Sequence, residues 1–346
     1  MINIKDLAEQ LGISKTALYI YFKDPETKRI GADTKERINL AIGELQYRIN
    51  VNAQSLSTNK SNVVAMLIPM DEPYFRSFLI NETLSGIQTI LFKNNYKIIF
   101  LPAKGSRSPE ILQDQLKNAN GYDGFILFGT RGCTKEDMGK NVEIITKYKV
   151  PFVVVNMPEI KREINQVIIR STKAANPVRF LLKLGHKKIA LMGGGRSAPD
   201  TEKAVESFIA THREMGVEPD TSLILNGNYD KIIAKSEMLR LFETRRDFTG
   251  IFCLSDYMAL GVYEAIKEKG FKIPDDFSVI GRDDTFFAAD MNPPLTTVRI
   301  PMFTLGTTAA ELLLSSMRSG ENPRKIFLED ELVLRASAFG PKSPIR

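Results

Sequence analysis

From Asn62 onward, short apolar runs alternate with longer amphipathic stretches, and no other feature limits the possible folds so much. VVAMLIPM, YKIIFLP, GFILF and PFVVV read as strands buried on both faces. Between them lie helical stretches at about 76–94, 109–119 and 135–147. After a polar break near Glu159–Glu163 the pattern restarts, with strands at 166–169, KIALMG, LILN, GIFCL and FSVIG. Helices at about 171–184, 200–215, 229–245 and 256–269 separate these. Such alternation builds parallel sheets flanked by helices. Two units in series predict two lobes with a cleft between them, and ligands in such sheets sit beyond the carboxyl ends of the strands.

The first 46 residues follow another period. Ile4, Leu7, Ala8 and Leu11 share one helical face, with Asn3 as its N-cap and Gly12 as its end. Ser14 then caps a second helix, KTALYIYFK, which should bury Ala17, Leu18, Tyr21 and Phe22 and leave Lys15, Thr16, Tyr19 and Lys23 outward. A loop with Asp24-Pro25 follows. A third helix from about Thr34 carries Ile38, Ala41, Ile42 and Leu45 on one face. Helix, short turn and helix is the helix-turn-helix arrangement, whose second helix enters the DNA major groove. The bland alternative is a small helical bundle with a solvated polar face.

Length and composition narrow the function. The chain has 346 residues, which fits two or three domains, and its 43% hydrophobic content can fill sizeable cores. A net charge of +6 leans toward a polyanionic partner without proving one. No apolar run approaches a membrane span and the first residues lack a signal-peptide core, so a cytoplasmic location is expected. Cys133 and Cys253 form no spaced motif, and His186 and His212 sit in no metal-ligand cluster. No cofactor or metal is expected. Gly193-Gly194-Gly195 lacks the Lys-Ser/Thr of a phosphate loop and reads as a strand-to-helix turn lining a cleft. Asp283-Asp284 could suggest acid/base work, but a ligand hydrogen bond plus a structural carboxylate is the simpler reading. Nothing supports an enzyme.

Several stretches together resemble the LacI/GalR family of bacterial transcriptional repressors over nearly the whole length. They are IKDLAEQLGIS, TKERINLAIGELQYRINVNAQSL, LGHKKIALMGG, FCLSDYMALGVYEAIKEKGFKIPDDFSVIGRDD and PPLTTVRIPMFTLGTTAAELLL. The resemblance implies a headpiece at 1–46, a hinge at 47–61 and a body at 62–346 similar to periplasmic sugar-binding proteins. Each body lobe would be discontinuous, one at about 62–160 plus 292–322 and the other at about 161–291 plus 323–340. The three crossings are expected near Pro158, Met291 and Asn322. The implied DNA-facing set is Asn3, Ser14, Lys15, Thr16, Tyr19, Lys23 and Thr34 in the headpiece, with Asn50, Ala53 and Leu56 in the hinge. In the family a hinge leucine wedges into the central minor-groove step, and Leu56 holds that place; unstacking a step costs a few kcal/mol, offset by contacts that the bent duplex allows.

The departures are informative. Ala17-Leu18-Tyr19-Ile20 stands where family members carry Thr-Val-Ser-Arg, with Lys15 and Thr16 at the two base-reading positions. The implied effector-binding set is Arg170, Tyr229, Ser255, Asp256, Arg282 and Asp283. Within it the family's Asp-Asn pair is Ile169-Arg170, its pocket arginine is Ala204, and its Asn before Asp256 is Ser255. Half of a neutral-sugar set is gone. Arg170 and Arg282 could pair with a carboxylate or phosphate, unless they face solvent or tie the lobes together. The expectation is a homodimer on a double-stranded operator, gated by a sugar or sugar derivative and controlling carbohydrate-utilisation genes. An anionic, protein or absent effector, or a simple small-molecule binding protein, is the alternative. With no leucine-heptad tail after Phe339, dimers are expected over tetramers.

Overall fold

The structure of the protein is a computed structural model, which describes residues 4–23, 25–44, 60–69, 78–103, 108–117, 121–129, 134–195, 199–319 and 322–341. The headpiece is three helices, α1 (Ile4–Leu11), α2 (Lys15–Lys23) and α3 (Ala32–Glu44). Leu7, Leu11, Leu18, Tyr21, Ile38 and Ala41 meet in its own small core, as their spacing requires. Ser14 Oγ accepts from the Ala17 amide at 3.1 Å, the N-cap contact expected. Arg37 donates to the Leu11 carbonyl at 2.7 Å, satisfying one of the orphan acceptors at the end of α1. Helix α3 begins two residues earlier than Thr34, and Ala17 and Phe22 are half-buried where full burial was expected.

The body holds two six-stranded sheets. Strands β1 (Val63–Pro69), β2 (Lys97–Ala103), β3 (Gly124–Phe128), β4 (Phe152–Val155), β5 (Gln166–Arg170) and β11 (Lys325–Glu329) build the first, in the order β11-β5-β4-β3-β1-β2. The second holds β6 (Ile189–Gly193), β7 (Ile224–Asn226), β8 (Gly250–Cys253), β9 (Ser278–Asp283), β10 (Thr296–Arg299) and β12 (Glu331–Val333), in the order β12-β10-β9-β8-β6-β7. All neighbours are parallel except β12, which runs antiparallel to β10. The strands read as continuous apolar runs because both faces are covered. In the first sheet Val64, Met66 and Ile68 face one core, while Ala65 and Leu67 face a second with Leu112 and Met138.

Helices α4 (Phe78–Lys93), α5 (Ser108–Lys117), α6 (Lys135–Lys147) and α11 (Met302–Ser319) belong to the first lobe. Helices α7 (Ala175–Lys183), α8 (Pro199–Glu214), α9 (Lys231–Thr244) and α10 (Asp256–Glu268) belong to the second. Their positions follow the sequence periodicity within a few residues, except that α7 begins at Ala175 and not 171.

The lobe boundaries differ from expectation. Strand β5 pairs with β4 in the first sheet, and β11 pairs with β5 there, while β10 pairs with β9 in the second. The chain therefore crosses at about 171, 301 and 330, later than Pro158, Met291 and Asn322. An apolar strand looks the same in either sheet, and only the ladder decides. All three crossings leave the carboxyl ends of strands and lie side by side, because Arg170 pairs with Glu329 and Arg299 with Glu331.

Helices α4 and α11 approach so closely that their glycines are obligatory. A Cβ on Gly86 would fall 2.2 Å from the Phe303 carbonyl oxygen, and one on Gly306 would fall 2.1 Å from that of Thr83. Both neighbours are backbone and cannot rotate away. Gly306→Ala should therefore destabilise the protein by ~1–3 kcal/mol, the usual range for overpacking. Urea unfolding should show a lower midpoint with an unchanged slope.

Candidate functional site

The DNA-facing candidates gather at the start of α2. Capping by Ser14 fixes the entry of the helix, so Lys15 and Thr16 occupy its first turn, both exposed. Tyr19 is half-buried, and Thr34 is half-buried in the first turn of α3. Ile20, standing where the family carries arginine, packs against the headpiece core. Tyr21 closes the interior side by donating to Asn39 Oδ1 at 2.6 Å. Asn3, Asn50, Ala53 and Leu56 lie outside the described residues, as does the side chain of Lys23. A lysine can donate to guanine O6 and N7, and a threonine can meet either base edge or a thymine methyl. Lys15→Ala should cost ~1–3 kcal/mol in specific binding and relax the preference at one base pair per half-site, read by competition with single-base operator variants.

The effector candidates sit at strand ends facing the cleft, and most are already engaged. The Arg170 guanidinium lies 3.8 Å from the Phe327 ring centroid and 3.9 Å from Glu329, with most of its surface exposed. Arg282 donates to Ser171 Oγ at 2.8 Å and to the Lys173 carbonyl at 3.3 Å. Ser171 Oγ in turn donates to Asp330, which also accepts from the amide and hydroxyl of Thr172. Arg282 thus fastens the second sheet to the crossing at Ser171, which in turn holds the crossing at Asp330. Of the two bland readings raised for these arginines, tying the lobes is the one seen for Arg282.

Ser255 is buried as the N-cap of α10, accepting from the Met258 amide at 3.1 Å. Asp256 is fully buried and accepts from the Thr285 amide at 2.8 Å, the Thr285 hydroxyl at 3.0 Å and Thr297 Oγ1 at 2.6 Å. Asp283 ends β9 at φ +110° and is half-buried. Asp284 beside it accepts from Arg299 Nε and Arg335 Nη2, both at 2.7 Å. The adjacent pair therefore splits, with Asp284 as the structural carboxylate.

Tyr229 adopts φ +55° and lays its ring on Gly194, where a Cβ would fall 1.8 Å from Cε2. The Gly194 amide donates to Thr201 Oγ1 at 3.1 Å. Gly194, in the turn that follows β6, is thus a seat for an aromatic ring. Phe78 at the start of α4 and Phe286 beyond β9 meet across the lobes, with ring centroids 6.2 Å apart and Phe286 78% exposed. Sequence reading missed this pair, as it missed Ser171, Thr285, Thr297 and Asp330. Their partners are remote in sequence, and single Thr, Ser or Phe residues carry no motif.

Burial pushes the Asp256 carboxyl up to about 6, against its three hydrogen bonds, with the nearby charge of Asp284 acting in the same upward direction. The folded state then holds this proton more tightly than the unfolded chain. Its contribution to stability is fully present below about pH 4 and is lost as pH rises toward 6. Wild-type stability relative to Asp256→Asn should fall by roughly 3 kcal/mol across that window and stay flat above it, measured by urea unfolding at each pH. The histidines are structural. His186 bridges Thr249 Oγ1 and the Phe339 carbonyl, His212 reaches the Phe208 carbonyl, and burial lowers both. Cys253 is fully buried, which pushes its thiol far up. Among the described residues no group of His, Cys, Asp or Glu could hold a metal ion, and no helix is long and apolar enough to cross a membrane.

A three-helix headpiece with a capped, exposed turn at the start of α2, on the same chain as two parallel α/β lobes, is an arrangement suited to a regulated DNA-binding protein. Comparison with known proteins points the same way. A periplasmic-binding-protein-like domain model matches residues 178–338. The HTH-type transcriptional repressor PurR of Vibrio atlanticus is 26% identical over 97% of this chain and 98% of its own length. A LacI family regulator from Enterococcus faecium, solved with bound ribose, is 25% identical, with a TM-score of 0.65 over 81% of this chain and 100% of that one. The lac repressor dimer bound to operator and an anti-inducer is similar in fold, with a TM-score of 0.79 at 22% identity over 98% of this chain and 99% of that one. This chain is thus similar, over nearly its whole length, to transcriptional repressors and to regulators of the LacI family, which are not enzymes.

Proposed function

We propose that this regulator is a repressor that binds a pseudo-palindromic operator as a homodimer and responds to a small effector in the interlobe cleft. The observation that carries the reading is the exposed Lys15-Thr16 turn, held by the Ser14 cap, on the same chain as a two-lobed body. Exposed Phe92 on α4, with Ile99 and Phe100 on the edge strand β2, supports pairing of two chains. Leu56 would be the minor-groove wedge, with Asn50 and Ala53 before it. Control of carbohydrate-utilisation genes and a cytoplasmic location rest on the family resemblance.

A second reading concerns the effector alone. Asp256 is sequestered by two threonines, Ser255 caps a helix, and Arg282 is bound to the crossings. Few of the polar groups that hold a neutral sugar remain for one. That favours an atypical effector, whether anionic, a protein, or none.

Selection of genomic fragments with the full-length protein tests the main reading. The expected result is enrichment of a pseudo-palindrome with a central pyrimidine–purine step, lost on Leu56→Ala and on deletion of residues 1–61. Enrichment without sequence preference would sink it.

A further inference from the structure

The headpiece that should grip DNA carries no net charge. Residues 1–46 hold seven Lys or Arg and seven Asp or Glu, so the whole excess of +6 lies elsewhere. Attraction to phosphates supplies most non-specific affinity and much of the specific affinity of DNA-binding proteins. In this chain that attraction has to come from outside the reading module.

The topology indicates where. The chain leaves the headpiece at Glu44 and enters the body at β1, which starts at Val63. The strands of the first sheet run from that pole toward the cleft, so the pole that receives the headpiece also gathers the starts of β1, β2 and β4 and the ends of α4, α5 and α6. Exposed Lys93, Lys97 and Lys149 stand there, beside the ends of α4 and α6 and at the start of β2. Arg162 joins them, close enough to Glu143 near the end of α6 to help lower its pKa. Lys117 and Lys147 are neutralised locally by Asp114 and Glu143, each pair at 3.0 Å or less. Lys93, Lys97, Lys149 and Arg162 make no ion pair among the described residues. Their charge is available to a partner.

We propose that this pole of the first lobe is a second DNA-binding surface, which meets the phosphates of the duplex beneath the body and supplies the electrostatic attraction that the neutral headpiece lacks. The partner is the backbone of double-stranded DNA. It carries one charge per about 1.7 Å of axis, so a lobe end of domain width faces many phosphates whatever their sequence. Screening confines the effect to about 8 Å at physiological ionic strength, so it requires the body to approach the duplex closely. Fifteen residues, 45–59, join the headpiece to this pole, and even fully extended they span no more than roughly 50 Å. Base reading would remain with α2. The inference rests on the operator-binding reading above.

The test compares full-length proteins on one selected operator over a range of salt. The first variant combines Lys93→Gln, Lys97→Gln and Lys149→Asn, the last keeping a side chain that suits the left-handed backbone at φ +55°. The control combines Lys267→Gln, Lys269→Gln and Lys272→Gln, exposed residues at the far pole of the second lobe that remove the same charge. A third protein replaces Lys93, Lys97 and Lys149 by arginine. Every phosphate that the protein neutralises adds about 0.9 to the steepness of log affinity against log salt. The first variant should therefore have a slope shallower by at least two, and tenfold or more weaker affinity at low salt, with its ranking of mismatched operators unchanged. The control and the arginine protein should match wild type. Equal slopes for wild type and the first variant, or an equally shallow slope in the control, would overturn the proposal while leaving operator binding intact. A wild-type protein without sequence preference would remove both.

Discussion

The carboxylate of Asp330 is the contact on which the two-lobed body depends. It accepts from Ser171 and Thr172 on one crossing while sitting in another, and Arg282 reaches the same serine from the second sheet. The remaining crossing follows Arg299, which pairs with Glu331 one residue beyond Asp330. Three chain passages thus form one narrow strip with its own hydrogen bonds. Lobes joined along a strip can change the angle between them but cannot slide apart or exchange neighbours. Any ligand in the cleft acts through that single degree of freedom, and by linkage so does any coupling to the DNA end.

Much of this architecture was legible in the sequence. GFILF is β3 to the residue, and the helix expected at 135–147 is α6. Both succeed because burial on two faces forces an unbroken apolar run, and because Thr134 caps α6 through a reciprocal contact with Asp137. The headpiece was readable for the same reason, since Leu7, Leu11 and Ile38 fall at helical spacing around one core. The assignment of strands to lobes was not readable. QVIIR satisfies either sheet equally, and what places it in the first is its ladder with β4 and with a strand more than 150 residues later. Helix α7 starts late because Ser171 and Thr172 are held at Asp330, a reason invisible from residues 171–184 alone.

The candidate cleft was legible as a list of residue types but not as a set of tasks. Asp256 reads as a ligand group until Thr285 and Thr297 are seen to close on it. Arg282 reads as a free cation until its partners, over 100 residues away, are seen. Gly194 reads as part of a strand-to-helix turn lining a cleft, and only the structure shows the Tyr229 ring lying on it. In each case the residue's chemistry was right, and the geometry that assigns it came from distant parts of the chain.

The strand order carries a consequence for synthesis. The first sheet begins with β1 at Val63, yet its edge is closed by β11, and α11 covers one of its faces only after the second sheet has been almost fully made. While the chain is emerging from the ribosome, neither lobe can complete itself as a unit. The early lobe waits with an unpaired edge at β5 and with the Gly86 face of α4 uncovered. The final segment, β11 to β12, then closes one sheet and edges the other in a single passage through Asp330. Completion is thereby late and joint, so a chain interrupted just before β11 would leave both sheets without an edge strand, and not merely one.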